Sequence, residues 1–144
     1  MTDIETTVTA FAALYLKFVR QLDSRMAANG VSLSRTKILL CLQKRGPMRS
    51  TSIADIYNLA PRTVTELIDA LEKDGFLERQ PDPSDRRAKL VSLTPEGIEA
   101  VNKTEPLRRE LVDQIFGILD TRELSEFRGM LDKLSLALDE LPDD

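Results

Sequence analysis

Histidine and tryptophan are both absent from this chain of 144 residues. Without histidine the chain lacks the side chain most often used as a general base near neutral pH, and also the commonest zinc ligand. Ser-His-Asp and Cys-His nucleophile systems and HExxH zinc sites are thereby excluded, and no P-loop or dinucleotide fingerprint stands in their place. Cysteine occurs once, as Cys41, so neither an intrachain disulfide nor a multi-cysteine metal centre can form. Aromatic residues make up only 5 % of the chain, which leaves core packing to Leu, Ile, Val and Ala. No run of about 18 apolar residues occurs, so no membrane span is expected. The N-terminus, Met1-Thr2-Asp3-Ile4-Glu5, is acidic and amphipathic, where a signal peptide would be basic and then apolar. These deficits point to a soluble cytoplasmic protein with no metal and no cofactor, and away from an enzyme.

What is present is an ordinary globular composition, with 42 % apolar and 31 % charged residues, and a length that suits one compact domain with arms. Twenty Lys and Arg stand against 24 Asp and Glu, a net charge of −4. An acidic balance argues against a chain that coats nucleic acid non-specifically. It leaves room for a local basic patch, because contact depends on where the charges sit.

Along the chain, Thr2 with Glu5 reads as a capping box opening a helix whose apolar stripe is Ile4, Val8, Phe11, Tyr15, Phe18 and Leu22. Ser34 is the expected cap of a second helix ending near Arg45, with Gly46 in a left-handed position and Pro47 as its stop. A short third helix ends near Tyr57, and Asn58 takes positive φ in the tight turn that follows. Pro61 suits the first position of a fourth helix, whose core face is Val64, Leu67, Ile68 and Leu71. Its opposite face carries Arg62, Glu66, Asp69 and Lys73. Two short apolar-bearing runs, 76–80 and 88–93, flank a Pro/Asp/Ser loop and read as a hairpin. Thr94-Pro95 starts a fifth helix running to about Leu119, which Pro106 should kink or break. Asp120 with Glu123 caps a last helix carrying Leu124, Phe127, Leu131, Leu134, Leu138 and Leu141.

Three helices followed by a hairpin across residues 34–93 is a winged helix-turn-helix order, and the fold class expected is mainly α, about six helices plus a β-hairpin wing. A helix with one apolar face packs on its domain while the other enters a major groove. The residues reaching base edges first would be Pro61, Arg62, Thr63 and Thr65. Arginine bonds guanine at two points, and threonine contacts phosphate or a thymine methyl. At the hairpin tip Arg86 and Arg87 can enter a narrow minor groove. Asp85 beside them can fix one guanidinium by charge-assisted hydrogen bonds.

The stretches Pro61-Arg62-Thr63-Val64-Thr65, Leu71-Glu72-Lys73-Asp74-Gly75-Phe76-Leu77-Glu78-Arg79 and Pro81 through Gly97 resemble the recognition helix, first wing strand, wing and wing exit of the MarR family of transcription regulators. The resemblance implies an obligate-type homodimer with interlocked terminal helices and two recognition helices on a pseudo-palindrome of double-stranded DNA. It also implies repression relieved by a small, often aromatic, effector. By motif match Arg86 is the wing contact and Asp85 its organiser. Ala60 stands where that family usually has a Ser or Thr cap. Glu66 replaces a frequent basic or polar residue, so it either accepts from a cytosine amine or pairs with Arg62 one turn back.

The expected division is a helical dimerisation region at 1–30 and 98–144 around a DNA-binding domain at 31–97. Ile4, Val8, Phe11, Leu131, Leu134 and Leu138 form the dimer stripes, because a small winged domain cannot bury both terminal stripes by itself. Cys41, among Ile38, Leu39, Leu40 and Leu42, reads as a buried apolar residue and not a redox sensor. No residue marks an effector site. The competing reading, supported by Glu66, Asp69 and the acidic balance, is a winged-helix protein-interaction module that does not bind DNA.

Overall fold

A computed structural model describes residues 2–143. Its elements follow in the order α1 (Asp3–Ala27), α2 (Leu33–Arg45), α3 (Ser50–Tyr57), α4 (Pro61–Lys73), β1 (Leu77–Asp82), β2 (Asp85–Leu93), α5 (Pro95–Phe116) and α6 (Thr121–Asp139). The two strands form one antiparallel hairpin. The chain divides into two compact units, Met1–Arg108 and Arg109–Asp144.

Most helix ends follow from local chemistry. Both capping boxes form, Thr2 with Glu5 at α1 and Asp120 with Glu123 at α6, so each satisfies two backbone N–H groups that a helix start leaves open. The hydroxyl of Thr94 accepts from the N–H of Gly97 at 3.1 Å and donates to the carbonyl of Gly75 at 2.6 Å, joining the start of α5 to the end of α4. Asn58 adopts the left-handed conformation (φ 49°, ψ 46°) that turns the chain from α3 into α4.

Three expectations are corrected. The cap of α2 is Ser32, not Ser34: its side chain accepts from the N–H of Arg35. The helix begins early because buried Val31 pins the chain just before the cap, and Asp23 of α1 accepts from the N–H of Leu33 at 2.9 Å. Gly46 has positive φ (80°), but its ψ of −171° is extended and leads the chain out towards Met48. Of the kink or break expected at Pro106 the break does not occur, since α5 runs through it to Phe116. Proline already holds a helical φ, so the direct loss is the one hydrogen bond its nitrogen cannot donate to Asn102.

In the first unit the core joins Ile38, Leu39 and Leu42 of α2, Ile53 and Ala54 of α3, and Val64, Ile68 and Leu71 of α4. Val31, just before α2, and Leu77, Val91, Ala100 and Val101 from the hairpin and α5 complete it. The hairpin pairs Leu77 with Leu93 through Pro81 with Lys89, and then Asp82 with Asp85. Arg86, Arg87 and Ala88 therefore have no partner on β1 and form a bulge near the tip. Met48 bridges Val91 on β2's other side through two backbone hydrogen bonds, at 3.1 and 2.7 Å. In the second unit the rings of Phe116 and Phe127 lie 6.5 Å apart, tilted by 33°, against each other across the turn between α5 and α6.

Gly97 marks a close approach, since a Cβ there would collide with the Phe76 carbonyl oxygen and lie 3.2 Å from Leu93 Cδ2. Backbone cannot yield as a flexible side chain does. Gly97→Ala is therefore expected to destabilise the protein by about 1–3 kcal/mol, the usual cost of overpacking. Chemical denaturation of the two proteins side by side measures it, and an unshifted midpoint would show that α5 can move off the strand freely.

Candidate nucleic-acid interface

The N-terminal half of α4 is held from behind and open in front. Val64, Ile68 and Leu71 are fully buried (0 % exposed). Pro61, Arg62, Thr63, Thr65 and Glu66 are all exposed on the first two turns. Ala60 gives no side-chain cap, as its methyl group dictates, so the N–H groups of the first turn remain open to an outside acceptor. Arg62 Nε meets Glu66 Oε1 at 3.3 Å, and the Thr65 hydroxyl donates back to the Pro61 carbonyl at 2.9 Å. The Arg62 side chain is 91 % exposed. An ion pair so open is worth at most about 1 kcal/mol and releases readily to another anion.

Farther along α4, Arg79 of β1 reaches across to two carboxylates, with Nη2 at 2.6 Å from Asp69 Oδ1 and Nη1 at 2.7 Å from Glu72 Oε1. The hydrogen bond that Arg79 donates to Asp69, with the charges of both carboxylates, raises the Arg79 pKa above its ordinary value. Asp69, an outer-face charge of α4 in the sequence pattern, is thus paired across to β1. The clamp neutralises acidity on the exposed side of α4 and fixes the helix to the hairpin.

Asp85, Arg86 and Arg87 are exposed at the start of β2, the two arginines on the bulge. Among the described residues neither guanidinium has an ion-pair partner. Asp85 pairs with no guanidinium among the described residues. Its Oδ1 accepts from the backbone N–H of Arg87 at 3.0 Å, so it shapes the chain beneath the arginines. The α4 group and the hairpin group stand on separate elements of the same unit, and no hydrogen bond or ion pair joins them among the described residues.

The wing's most engaged carboxylate is Asp82, at the end of β1 where the Pro/Asp/Ser stretch is expected to be loop. Its oxygens accept from the N–H and hydroxyl of Ser84 and from the guanidinium of Arg49. The Ser84 bonds, then Arg49, hold its pKa at about 2, against an ordinary 3.8. An Asp two residues before a Ser in a Pro-containing turn is a readable Asx-turn signal, whereas Arg49 lies 33 positions away and carries no local signal. Because the folded pKa is depressed, the stabilisation is complete above about pH 4 and is lost as pH falls towards 2. The stability difference between wild type and Asp82→Asn should therefore shrink between pH 4 and 2 and stay level from pH 5 to 7. A difference that instead grew with acid would reverse the assignment.

The proposed dimer stripes are uncovered in the single chain: Ile4, Val8 and Phe11 on α1, and Leu131, Leu134 and Leu138 on α6, are all exposed, and α6 buries no residue at all. Cys41 is buried with its Sγ 3.7 Å from Met48 Sδ. Among the described residues no helix is long and apolar enough to cross a membrane.

The family model for the MarR family matches residues 31–89. The uncharacterized HTH-type transcriptional regulator Mb0904 of Mycobacterium bovis is 31 % identical over 127 residues, covering 88 % of this chain and 89 % of that protein. The chain belongs to the MarR family. It is thus a transcriptional regulator of helix-turn-helix type and not an enzyme. Its fold matches AbsC, a MarR family transcriptional regulator from Streptomyces coelicolor, with a TM-score of 0.86 at 21 % identity over 98 % of each chain. It also matches a MarR variant from E. coli complexed with operator DNA, with a TM-score of 0.82 at 20 % identity, over 92 % of this chain and 95 % of that one. The winged helix-turn-helix architecture expected from the element order is therefore the observed one.

Proposed function

We propose that the protein is a dimeric, sequence-specific repressor acting in the cytoplasm on a pseudo-palindromic operator, and that a small aromatic ligand releases it. The observation that carries this reading is the two-sidedness of α4: three fully buried aliphatic residues lock it to the core while Arg62, Thr63 and Thr65 face outward beside an uncapped helix start. Pro61 and Glu66 complete the groove-side set. Asp85 shapes the bulge from which Arg86 and Arg87 reach a flanking minor groove.

Two such domains must be held at a fixed separation to read two half-sites. The exposed apolar stripes of α1 and α6 are the surfaces a second copy would cover, since contiguous apolar area of that kind is seldom left to water. Residues 31–97 then supply DNA contact, and 1–30 with 98–144 supply dimerisation. An open cleft of about 340 Å³ lined by Leu16, Val19, Arg20, Asp23, Leu33 and Ser34 is a place where an effector could lie, its three aliphatic side chains supplying apolar contact and Arg20 a cation beside the Asp23 carboxylate. The interaction-module reading drew on acidity along α4, and the Arg79 clamp on Asp69 and Glu72 weakens it.

Selection of the purified protein against a random duplex library at near-physiological salt tests the proposal. Enrichment of an inverted repeat with half-sites about one helical turn apart supports it. A folded dimer that enriches no sequence moves the function to protein interaction.

A further inference from the structure

Asp82 lies outside the groups assigned to DNA, yet its carboxylate is filled. Oδ1 accepts from the N–H and the hydroxyl of Ser84 at 2.9 and 2.8 Å. Oδ2 accepts from Nε of Arg49 at 2.9 Å and lies 2.7 Å from Nη2 in the same ion pair. The residue is only 7 % exposed although it sits at the end of a strand, next to the hairpin turn. Charge-assisted bonds of this length are the strong ones.

The other end of this tether matters equally. Arg49 is the backbone cap residue at the start of α3, and its neighbour Met48 makes the backbone bridge to Val91. The hairpin is thus fastened to the helix-turn-helix at two points, near its base by Met48 and near its tip by Arg49. An isolated two-stranded hairpin is marginally stable and free to swing. Pairing of Asp82 with Asp85 closes one side of the bulge, and pairing of Pro81 with Lys89 closes the other. The bulge that displays Arg86 and Arg87 therefore starts from the very rung that Arg49 holds.

We propose that Asp82, through Arg49, is a positioning residue that fixes where Arg86 and Arg87 stand relative to α4, so that wing and recognition helix meet one duplex at a set spacing. This rests on the DNA-binding reading. A wing held in place before binding loses less freedom on binding, which raises affinity with no new contact to DNA. A residue that merely stabilised the fold would weaken binding to every duplex alike. A positioning residue weakens only those duplexes long enough for the wing to reach.

The test compares a selected operator carrying flanking base pairs with the same operator trimmed of them, at one salt concentration. Asp82→Asn is expected to bind the long duplex about tenfold more weakly than wild type, the scale of one groove contact, and to bind the trimmed duplex equally well. Arg49→Gln keeps the Asp82–Ser84 turn and cuts only the tether, so it should show the same length-dependent loss even if Asp82→Asn folds poorly. Equal losses on both duplexes in Arg49→Gln, or no loss on either, overturn the proposal. If wild type itself binds no duplex in a salt-dependent manner, the DNA-binding reading fails first.

Discussion

Ile68→Ala should cost about 2–5 kcal/mol of folding stability, the range seen when a large buried aliphatic side chain is truncated. Ile68 is fully buried, with Val64 and Leu71 beside it on the same face of α4 and with α2, α3 and the hairpin contributing to the same core. Urea denaturation followed by circular dichroism measures the loss. The same variant should also lose DNA affinity under conditions where it is still folded, because a loosened α4 presents Arg62 and Thr63 in many poses. A loss well under 1 kcal/mol would mean that α4 is not anchored by this face, and the functional reading would lose its main support.

The second large effect belongs to the wing and should leave stability alone. The double variant Arg86→Ala/Arg87→Ala is expected to weaken operator binding by about 2–4 kcal/mol, from about 1–3 kcal/mol per groove contact with some overlap between adjacent residues. Neither guanidinium has an ion-pair partner among the described residues, and the Asp85 bond goes to the Arg87 backbone, which truncation does not touch. The unfolding midpoint should accordingly stay within the small range of surface substitutions. The dependence of affinity on salt should also become shallower, as fewer counterions are released. Single Arg86→Ala should account for about 1–3 kcal/mol of the loss. Titration of labelled operator reads all of this, and unchanged affinity would take the wing out of the mechanism.

Features governed by neighbours in sequence were legible without a structure. The capping boxes at Thr2 and Asp120, the left-handed Asn58, Pro61 at a helix start and the core face of α4 each depend on residues within one or two turns. The misplaced cap at Ser34 shows the boundary of that method. Two serines are nearly equivalent locally, and the choice of Ser32 is made by buried Val31 and by Asp23 ten residues from its partner. The wing shows it more strongly. A Pro/Asp/Ser stretch reads as a loop, whereas strand pairing continues through Pro81 to Asp82 and returns from Asp85. The α4 candidates fall on the helix expected of them, while Asp85, Arg86 and Arg87, read as loop, lie at the start of β2, and the supports of neither group carry a local signal. Asp82 with Arg49, and Arg79 with Asp69 and Glu72, are pairings between elements, and no periodicity announces them. The cleft between α1 and α2 was equally illegible, since the residues that bound it share no motif.

The burial of Cys41 against Met48 has a kinetic meaning. The chain's single thiol lies behind the segment Met48-Arg49 that secures both the base and the outer part of the hairpin. A thiol so buried is reached by a reagent through local opening around it, so the rate of modification is a clock for that transient opening. The molecule thus carries its own reporter of breathing, placed where motion of the wing and loosening of the core coincide. A bound duplex that held the wing still would make the clock run slower.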